Sequence, residues 1–563
     1  MMGSILEKIG DRNPQFIREV KGRLKIFPII FITSLSLLMQ FLVYICNVEK
    51  ISPDAGNVEY IRYLAHWDRI FQSLNTIFIF SLLVCGTFQI ISDISKEENR
   101  GTLNFIRLSP QSEVSILTGK ILGVPILLYL FIASAIPFHL ISGIFSGVPF
   151  LKILALYLIL FACCSFVFSV AILLSVMTLN VAKKSQGIAA WLGAALVFFP
   201  LSFSYSISTA DIPFNHAFAW FLMFSPNIII QYLSQSVNLE IPNACFSCGN
   251  LERLQFFYIP VGMNTFGIVA IYLANYAFLT YSIWQAIKRL FRNQSATFFS
   301  KSYSYLFVAL TQIMLWGFTL QKSDNYTSVE GKYYYDVNYQ IQQNLPLFFL
   351  FNFILIFGLT LTLLPSRQAI LDWSRYRHLD SNHRPGWQST IYGDLLLGEK
   401  TPSQFAIGIN LLLITTPFII WLIIAPLLNT QNNLVIRWLT GEVGIFKALL
   451  AIGFLISLTM IYATIYQQFA IAKFSQPISL ATCAIFAVIF LPPVILFKLN
   501  IDPVTNPIPW LFSTIPWAGF TANIPIICFA FLGEIMILVW LNIILMNQIK
   551  LAGSSTTKEL LST

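Results

Sequence analysis

Ser95-Lys96-Glu97-Glu98-Asn99-Arg100-Gly101-Thr102-Leu103, running on through Leu108-Ser109-Pro110 to Thr118-Gly119-Lys120, is a polar island between two apolar runs. The runs at 71–90 and 121–141 carry no Asp, Glu, Lys or Arg. Each has about the 20 residues a helix needs to cross the hydrocarbon core of a bilayer. Inside the island, Gly101 breaks the preceding helix and Thr102 can cap a new one. The segment 103–108 is short and amphipathic, and Ser109-Pro110 ends it. The pattern predicts a short helix lying along one membrane face, shaped to enter a groove of a soluble partner. An ordinary turn between spans is the plainer reading of the same residues.

Ten further apolar runs lie outward from this pair, at 27–46, 153–178, 187–205, 261–287, 305–320, 346–364, 405–428, 448–466, 478–497 and 521–546. The whole chain of 563 residues is 56% hydrophobic and only 10% charged, where a soluble domain carries about 25% charged residues. Its 51 Phe, 22 Tyr and 12 Trp suit lipid-facing surface and interfacial belts. Several soluble domains, disorder and a disulfide scaffold are all excluded. The expected fold is an all-α polytopic membrane protein of about 12 transmembrane helices.

Lys and Arg counts orient it. With a cytoplasmic N-terminus, the cytoplasmic segments hold 24 of the 34 basic residues and the opposite side holds 10. Both termini are therefore expected in the cytoplasm. About 26 residues precede the first run, and no small-residue cleavage site follows it, so it reads as a retained span and not a signal peptide. The net charge of +9 is scattered at span ends, where it faces lipid headgroups or a cytoplasmic partner. No basic, aromatic-interleaved groove for nucleic acid is present. The lack of a eukaryotic targeting signal points to a bacterial inner membrane, Asn325-Tyr326-Thr327 being a weak glycosylation match.

The two halves share a plan: a basic segment, a span, an outside loop of about 25 residues, a second span, a polar cytoplasmic stretch, then four more spans. The outside loops 47–68 and 321–344 correspond, as do the cytoplasmic stretches 92–120 and 365–404. Asn13-Pro14 and Asn293-Gln294 lead the two halves. An internal duplication of six-span units is expected, with both units in the same orientation and a pathway between them.

Glu-x-x-Arg-Gly-Thr-Leu at 97–103, then Leu-Ser-Pro, then Gly-Lys before the next span, resembles the permeases of the ABC-2 type exporter family. The resemblance implies that Glu97, Glu98, Arg100, Gly101, Thr102, Leu103, Ser109 and Pro110 form a coupling element against an ATPase subunit. Asn13-Pro14-x-x-x-Arg18-Glu19-x-Lys21-x-Arg23 resembles that family's amphipathic interface helix. The outside loop 206–260, with Ser225-Pro226-Asn227, fits its re-entrant or external elements. The resemblance covers roughly the first 290 residues. In the second half Asp394-x-x-x-Gly398-Glu399-Lys400-Thr401-Pro402 keeps a Thr-Pro stop and loses Arg-Gly-Thr-Leu, so it is at most a degenerate second coupling element. The implied layout is an interface helix at 1–26, transmembrane units at 27–290 and 305–546, a linker at 291–304 and a tail at 547–563. The implied partners are membrane lipid and two copies of a cytoplasmic ATP-binding cassette subunit, which would hold the ATP and Mg. The chain itself is then no enzyme and has no cofactor.

Gly393-x-x-x-x-Gly398-Glu399-Lys400-Thr401 nearly matches a phosphate-binding P-loop, but a carboxylate stands at the lysine position and no buried strand precedes it. The five His residues form no metal or nucleophile motif, so a membrane-embedded lipid enzyme ranks last. Glu534 is the one central charge expected in the spans, and a lone intramembrane carboxyl is a functional candidate by default. It carries the rival reading, an ion-coupled secondary transporter. Gln40, Gln89, Asn275, Asn352 and Asn410 either line a pathway or pair between helices. A charge-poor interface kinked by prolines suits an amphipathic or lipid-like cargo more than an ion. Six cysteines fall in spans as buried apolar groups, while Cys245 and Cys248 form a C-x-x-C in an outside loop. A local disulfide is favoured there. Zinc lacks its second ligand pair, and a redox role is the minor alternative.

Overall fold

The computed structural model describes residues 13–51, 62–178, 186–208, 217–235, 251–293, 296–321, 326–329, 332–335, 337–381, 390–427, 444–472 and 477–553. Contacts divide the chain into two compact units, Met1–Gln294 and Ser295–Thr563. Among the described residues eleven helices are long and apolar enough to cross a membrane. The protein is thus helical and polytopic, and among the described residues the strands form two short hairpins.

The first unit opens with α1 (Pro14–Arg23), and the Asn13-Pro14 pair explains where it starts. Asn13 Oδ1 accepts from the Phe16 N–H at 3.0 Å as an N-cap, and Pro14 fills the first turn, where its missing N–H costs nothing. The first span, α2 (Ile26–Cys46), buries only Ser36 and Gln40. A hairpin follows, pairing Val48–Ile51 with Arg62–Ala65. The second span runs from Trp67 to Asn99 as α3 (Trp67–Phe80), a π-helical turn at Ser81–Cys85 and α4 (Gly86–Asn99).

The polar island then folds into α5 (Thr102–Arg107) and α6 (Glu113–Gly123). Sequence places the third span at 121–141, whereas its helix α7 is Ile126–Phe145. Pro125 has no N–H to give, so the helix breaks there and Gly119-Lys120 belong to a separate helix before the span. Tyr129 closes the gap by donating its hydroxyl to the Ile121 carbonyl at 2.8 Å. The unit continues through α8 (Phe150–Met177) and α9 (Gln186–Ser208). Two short helices, α10 (Phe218–Leu222) and α11 (Asn227–Leu233), lie on either side of the Ser225-Pro226 break. Asn227 ties that break to the fifth span by donating to the Leu201 carbonyl at 2.7 Å. The last helix is α12 (Thr265–Arg292), which starts later than expected because Val261–Met263 is a 3-10 turn.

The second unit begins with α13 (Lys301–Thr319), capped by Ser300. Its 19 residues do not reach the apolar standard of a span, because Lys301, Ser304, Thr311 and Gln312 occupy it. This is why eleven candidate spans stand where twelve are expected. The polar residues are paired inward. Gln312 donates to Asn352 Oδ1 at 2.6 Å, and Asn410 donates to Ser304 Oγ at 3.0 Å. Asn293 is the C-cap of α12 and not the start of an interface helix, so among the described residues the leading segments differ. A hairpin follows α13 as one follows α2, here Tyr326–Val329 with Lys332–Tyr335. Then come α14 (Val337–Thr362), α15 (Arg367–Ser381), α16 (Ile391–Leu397), α17 (Gln404–Leu427), α18 (Ile445–Ile471), α19 (Pro477–Lys498), α20 (Pro507–Leu511) and α21 (Ile524–Gly553).

Two glycines decide how α1 sits. A Cβ at Gly123 would stand 2.6 Å from the Glu19 Cβ, and one at Gly119 would stand 2.8 Å from the Phe16 backbone nitrogen. Spaced four apart, they make one bare stripe on α6 that α1 lies against. Gly123→Leu is expected to lower stability by about 1–3 kcal/mol through overpacking. Gly22→Ala, which meets nothing within 4 Å, is expected to gain about 0.5–1 kcal/mol of helix propensity. Thermal unfolding of the detergent-solubilised chain compares the two, and a Gly123 variant as stable as wild type would refute the close approach.

Candidate functional site

The charged face of the first unit is built around the turn at Gly101. Helix α4 ends at Asn99, and Gly101 takes a φ of 72°, the left-handed conformation that closes helices. Its N–H returns to the Glu98 carbonyl at 3.0 Å. Thr102 does not cap α5 with its side chain. Its hydroxyl reaches back to the Glu97 carbonyl at 3.2 Å and ties α5 to the end of the second span.

Helix α5 is amphipathic in a definite sense. Leu103 is fully buried and Ile106 nearly so, while Phe105 is 78% exposed and Leu108 84% exposed. Arg100, Thr102, Asn104 and Pro110 share the exposed surface. Arg107 lies over the Phe291 ring, 5.5 Å from its centroid, and 3.8 Å from Glu98. Ser109 ends the helix by donating to the Ile106 carbonyl at 2.7 Å. Of the residues expected to form the coupling element, Glu97, Glu98 and Leu103 therefore have their side chains turned inward. The two large apolar side chains on the outer face are Phe105 and Leu108.

Beneath α5 lies a cluster of six charges. Lys120, with no exposed surface, has its Nζ 2.7 Å from Glu97, 2.8 Å from Asp93 and 3.6 Å from Glu19. Arg23 reaches Asp93 at 2.5 Å and Glu19 at 3.3 Å, and Arg18 pairs with Glu97 and with Glu19. Three acids and three bases leave the cluster neutral. Burial draws the Lys120 pKa down, but Asp93, Glu97 and Glu19 together outweigh it and hold it above the ordinary lysine value. The three acids bring an oxygen each within 4.8 Å of one another, a spacing suited to a cation, and the cation they neutralise is Lys120. Asn13 fastens the same helix pair, donating to the Ser115 carbonyl at 2.8 Å. Of the interface-helix residues, Arg18, Glu19 and Arg23 enter the cluster and Lys21 stays exposed.

The second unit treats its buried lysine differently. Lys301 Nζ donates to the Leu395 and Pro402 carbonyls, both at 2.9 Å, and to the Thr401 hydroxyl. Thr401 in turn donates to the Gly398 carbonyl at 2.8 Å. Asp394 accepts from the Trp373 indole at 2.6 Å. Glu399 and Lys400 are exposed, whereas Asp394 and Pro402 are buried. The segment resembling a P-loop is thus a helical turn closed over Lys301. Burial pulls the Lys301 pKa down to about 7, against the nearby Asp394 charge.

Glu534 is buried within α21, and Ser457 of α18 donates to it at 2.5 Å. Asn275 accepts from the Trp220 indole at 3.1 Å, and Gln40 binds Ser36 at 3.2 Å, so these polar groups pair between or within helices. Cys245 and Cys248 lie outside the described residues, and the six described cysteines are free. Sequence reading missed the roles of Asp93, Lys120, Lys301, Phe105 and Leu108. The spacing of Asp93 and Glu97, one helical turn apart, was the available signal for a shared inward face. No protein-family model, curated protein or solved structure matches this chain.

Lys120→Met leaves a net negative buried cluster and is expected to cost about 3–5 kcal/mol. Adding Glu97→Gln restores neutrality and is expected to recover a large part of it. Unfolding midpoints of both variants check this, and a double variant no better than the single one would count against charge balance. For Lys301, the folded pKa of about 7 lies below the model-peptide 10.5. Between those pH values the unfolded chain holds a proton that the folded chain has released, so stability rises with pH across the window. The slope is expected to vanish in Lys301→Met, as thermal unfolding from pH 7 to 10 would reveal.

Proposed function

We propose that the chain is the permease subunit of an ATP-driven exporter of the ABC-2 type. In this reading ATP is hydrolysed by a separate ATP-binding cassette subunit docked on the cytoplasmic face, two copies per transporter. The observation that carries it is α5, a short helix held between two spans with Phe105 and Leu108 outward and a neutral charge cluster beneath it. Such an element offers a soluble partner two apolar anchors on a stiff base, the form that protein hot spots take. The Arg-Gly-Thr-Leu resemblance and the near absence of charge within the spans support the same conclusion.

The finer architecture is part of the proposal: twelve spans in two six-helix units, both termini cytoplasmic, in a bacterial inner membrane. A hairpin after the first long helix of each unit, α2 and α13, supports the duplication. The cargo is an amphipathic or lipid-like molecule. Under this reading the second cytoplasmic element, closed over Lys301, is the weaker docking site, because its outer residues Glu399 and Lys400 are charged where Phe105 and Leu108 are apolar.

One rival keeps a specific observation, the buried Glu534–Ser457 pair, which would suit ion-coupled transport. Copurification with an ATP-binding cassette subunit, followed by ATP turnover in liposomes, separates the two. The permease is expected to raise ATP turnover. Phe105→Asp with Leu108→Asp, both at exposed positions, is expected to weaken the partner's affinity about 30-fold, the effect of losing one strong anchor. Transport that needs no ATPase, collapses with the proton gradient and is lost in Glu534→Gln would establish the rival instead.

A further inference from the structure

We propose that the first unit binds an anionic phospholipid in a crevice between α7, α8 and α12. The crevice has a volume of about 840 Å³, within the range of sites that enclose whole small molecules. Its wall is apolar, with Ile132 and Ile136 facing Leu160, Phe161 and Phe168. Five of the hydroxyls along it are already spent, that of Thr118 on the Val114 carbonyl at 2.6 Å. Ser165 and Ser169 donate to carbonyls one turn back, Tyr129 donates to Ile121, and Tyr157 is bonded to His139 at 2.7 Å. Away from Lys288 such a wall gives a polar solute little to bind, and it suits an acyl chain.

Charge at the rim selects the headgroup. Among the described residues that line the crevice, Lys288 is the one charged side chain. It is exposed, and no ion pair or hydrogen bond engages it among the described residues. Glu113, the chain neighbour of the lining residue Val114, is occupied by Arg292 at 2.5 Å. Trp284, one turn earlier on α12, also lines the site and gives it the indole that membrane interfaces favour. Lys288 lies at the end of the unit that carries α6 and the charge cluster. The lipid therefore comes from the leaflet on that side, its phosphate against the ammonium and a chain along α8. This binding does not depend on the transport reading.

The test uses the full-length chain purified from nanodiscs of equal phosphatidylglycerol and phosphatidylcholine, with retained lipid counted by native mass spectrometry. Phosphatidylglycerol is expected to be retained over phosphatidylcholine. Lys288→Gln is expected to cut its retention about fivefold, the effect of one basic residue at an anionic surface. Ala133→Trp, which fills the crevice from α7, is expected to displace the lipid whichever headgroup it carries. Unfolding midpoints of both variants establish that they are folded. Equal retention of the two lipids, or a preference that survives Lys288→Gln in the folded chain, overturns the proposal.

Discussion

Lys120 sits with no exposed surface among Asp93, Glu97 and Glu19, and the geometry of the charged face follows from keeping it neutralised. A charge pair at about 3 Å is worth on the order of 5 kcal/mol at an effective dielectric of about 20. The desolvation of each ion consumes much of that gain. The net stabilisation is therefore modest, while the penalty for breaking the arrangement is large. That asymmetry fixes position. The lysine comes from α6, two acids from α4 and the third from α1, so no one of these helices can move without stranding a buried charge. Gly119 and Gly123 make the arrangement sterically attainable, because any side chain there would hold α1 away from the lysine.

The second unit shows what happens when the same kind of buried ammonium is met by dipoles. Lys301 finds two carbonyls and a hydroxyl, groups that satisfy its hydrogen bonds without cancelling its charge. Its pKa falls toward neutrality, where that of Lys120 rises. The difference is physical and local: a carboxylate moves with its side chain, whereas a carbonyl moves only with its backbone. In the first unit helices are cross-linked by charge. In the second, one lysine stitches the turn after α16 to the start of α13.

The spans were legible because a bilayer demands about 20 apolar residues, a signal too long to arise from packing alone. Their ends were less so. Pro125 moved the third span by several residues, and α13 hides a polar face that its apolar majority conceals. The site was legible as a motif but not as a geometry. Glu97 reads as a surface charge from its neighbours Lys96, Glu98 and Arg100, and only the turn spacing to Asp93 hints that it faces inward. The partner of both acids lies 23 or more residues along the chain, at Lys120, and no periodicity spans such a gap. Phe105 and Leu108 belong to an amphipathic segment whose buried face sequence cannot choose, since Leu103 and Ile106 are equally apolar.

The connection between α5 and the second span gives that surface mechanical meaning under the proposed reading. Only Arg100 and Gly101 separate the two helices, and the Thr102 hydroxyl bridges the corner to Glu97. A force on Phe105 or Leu108 cannot be absorbed by slack chain there. It passes through Leu103 and Ile106 into the body of the unit, and through Glu97 into α4 and the charge cluster. Along α4 the helix is regular until the π turn at Ser81–Cys85, where Ser81 also takes the Ile77 carbonyl at 2.6 Å. A π turn already departs from the regular hydrogen-bond ladder, so bending costs least there. Under the proposed reading, the charged end and the turn would let the second span work as a lever, held at its charged end and free to bend at the π turn.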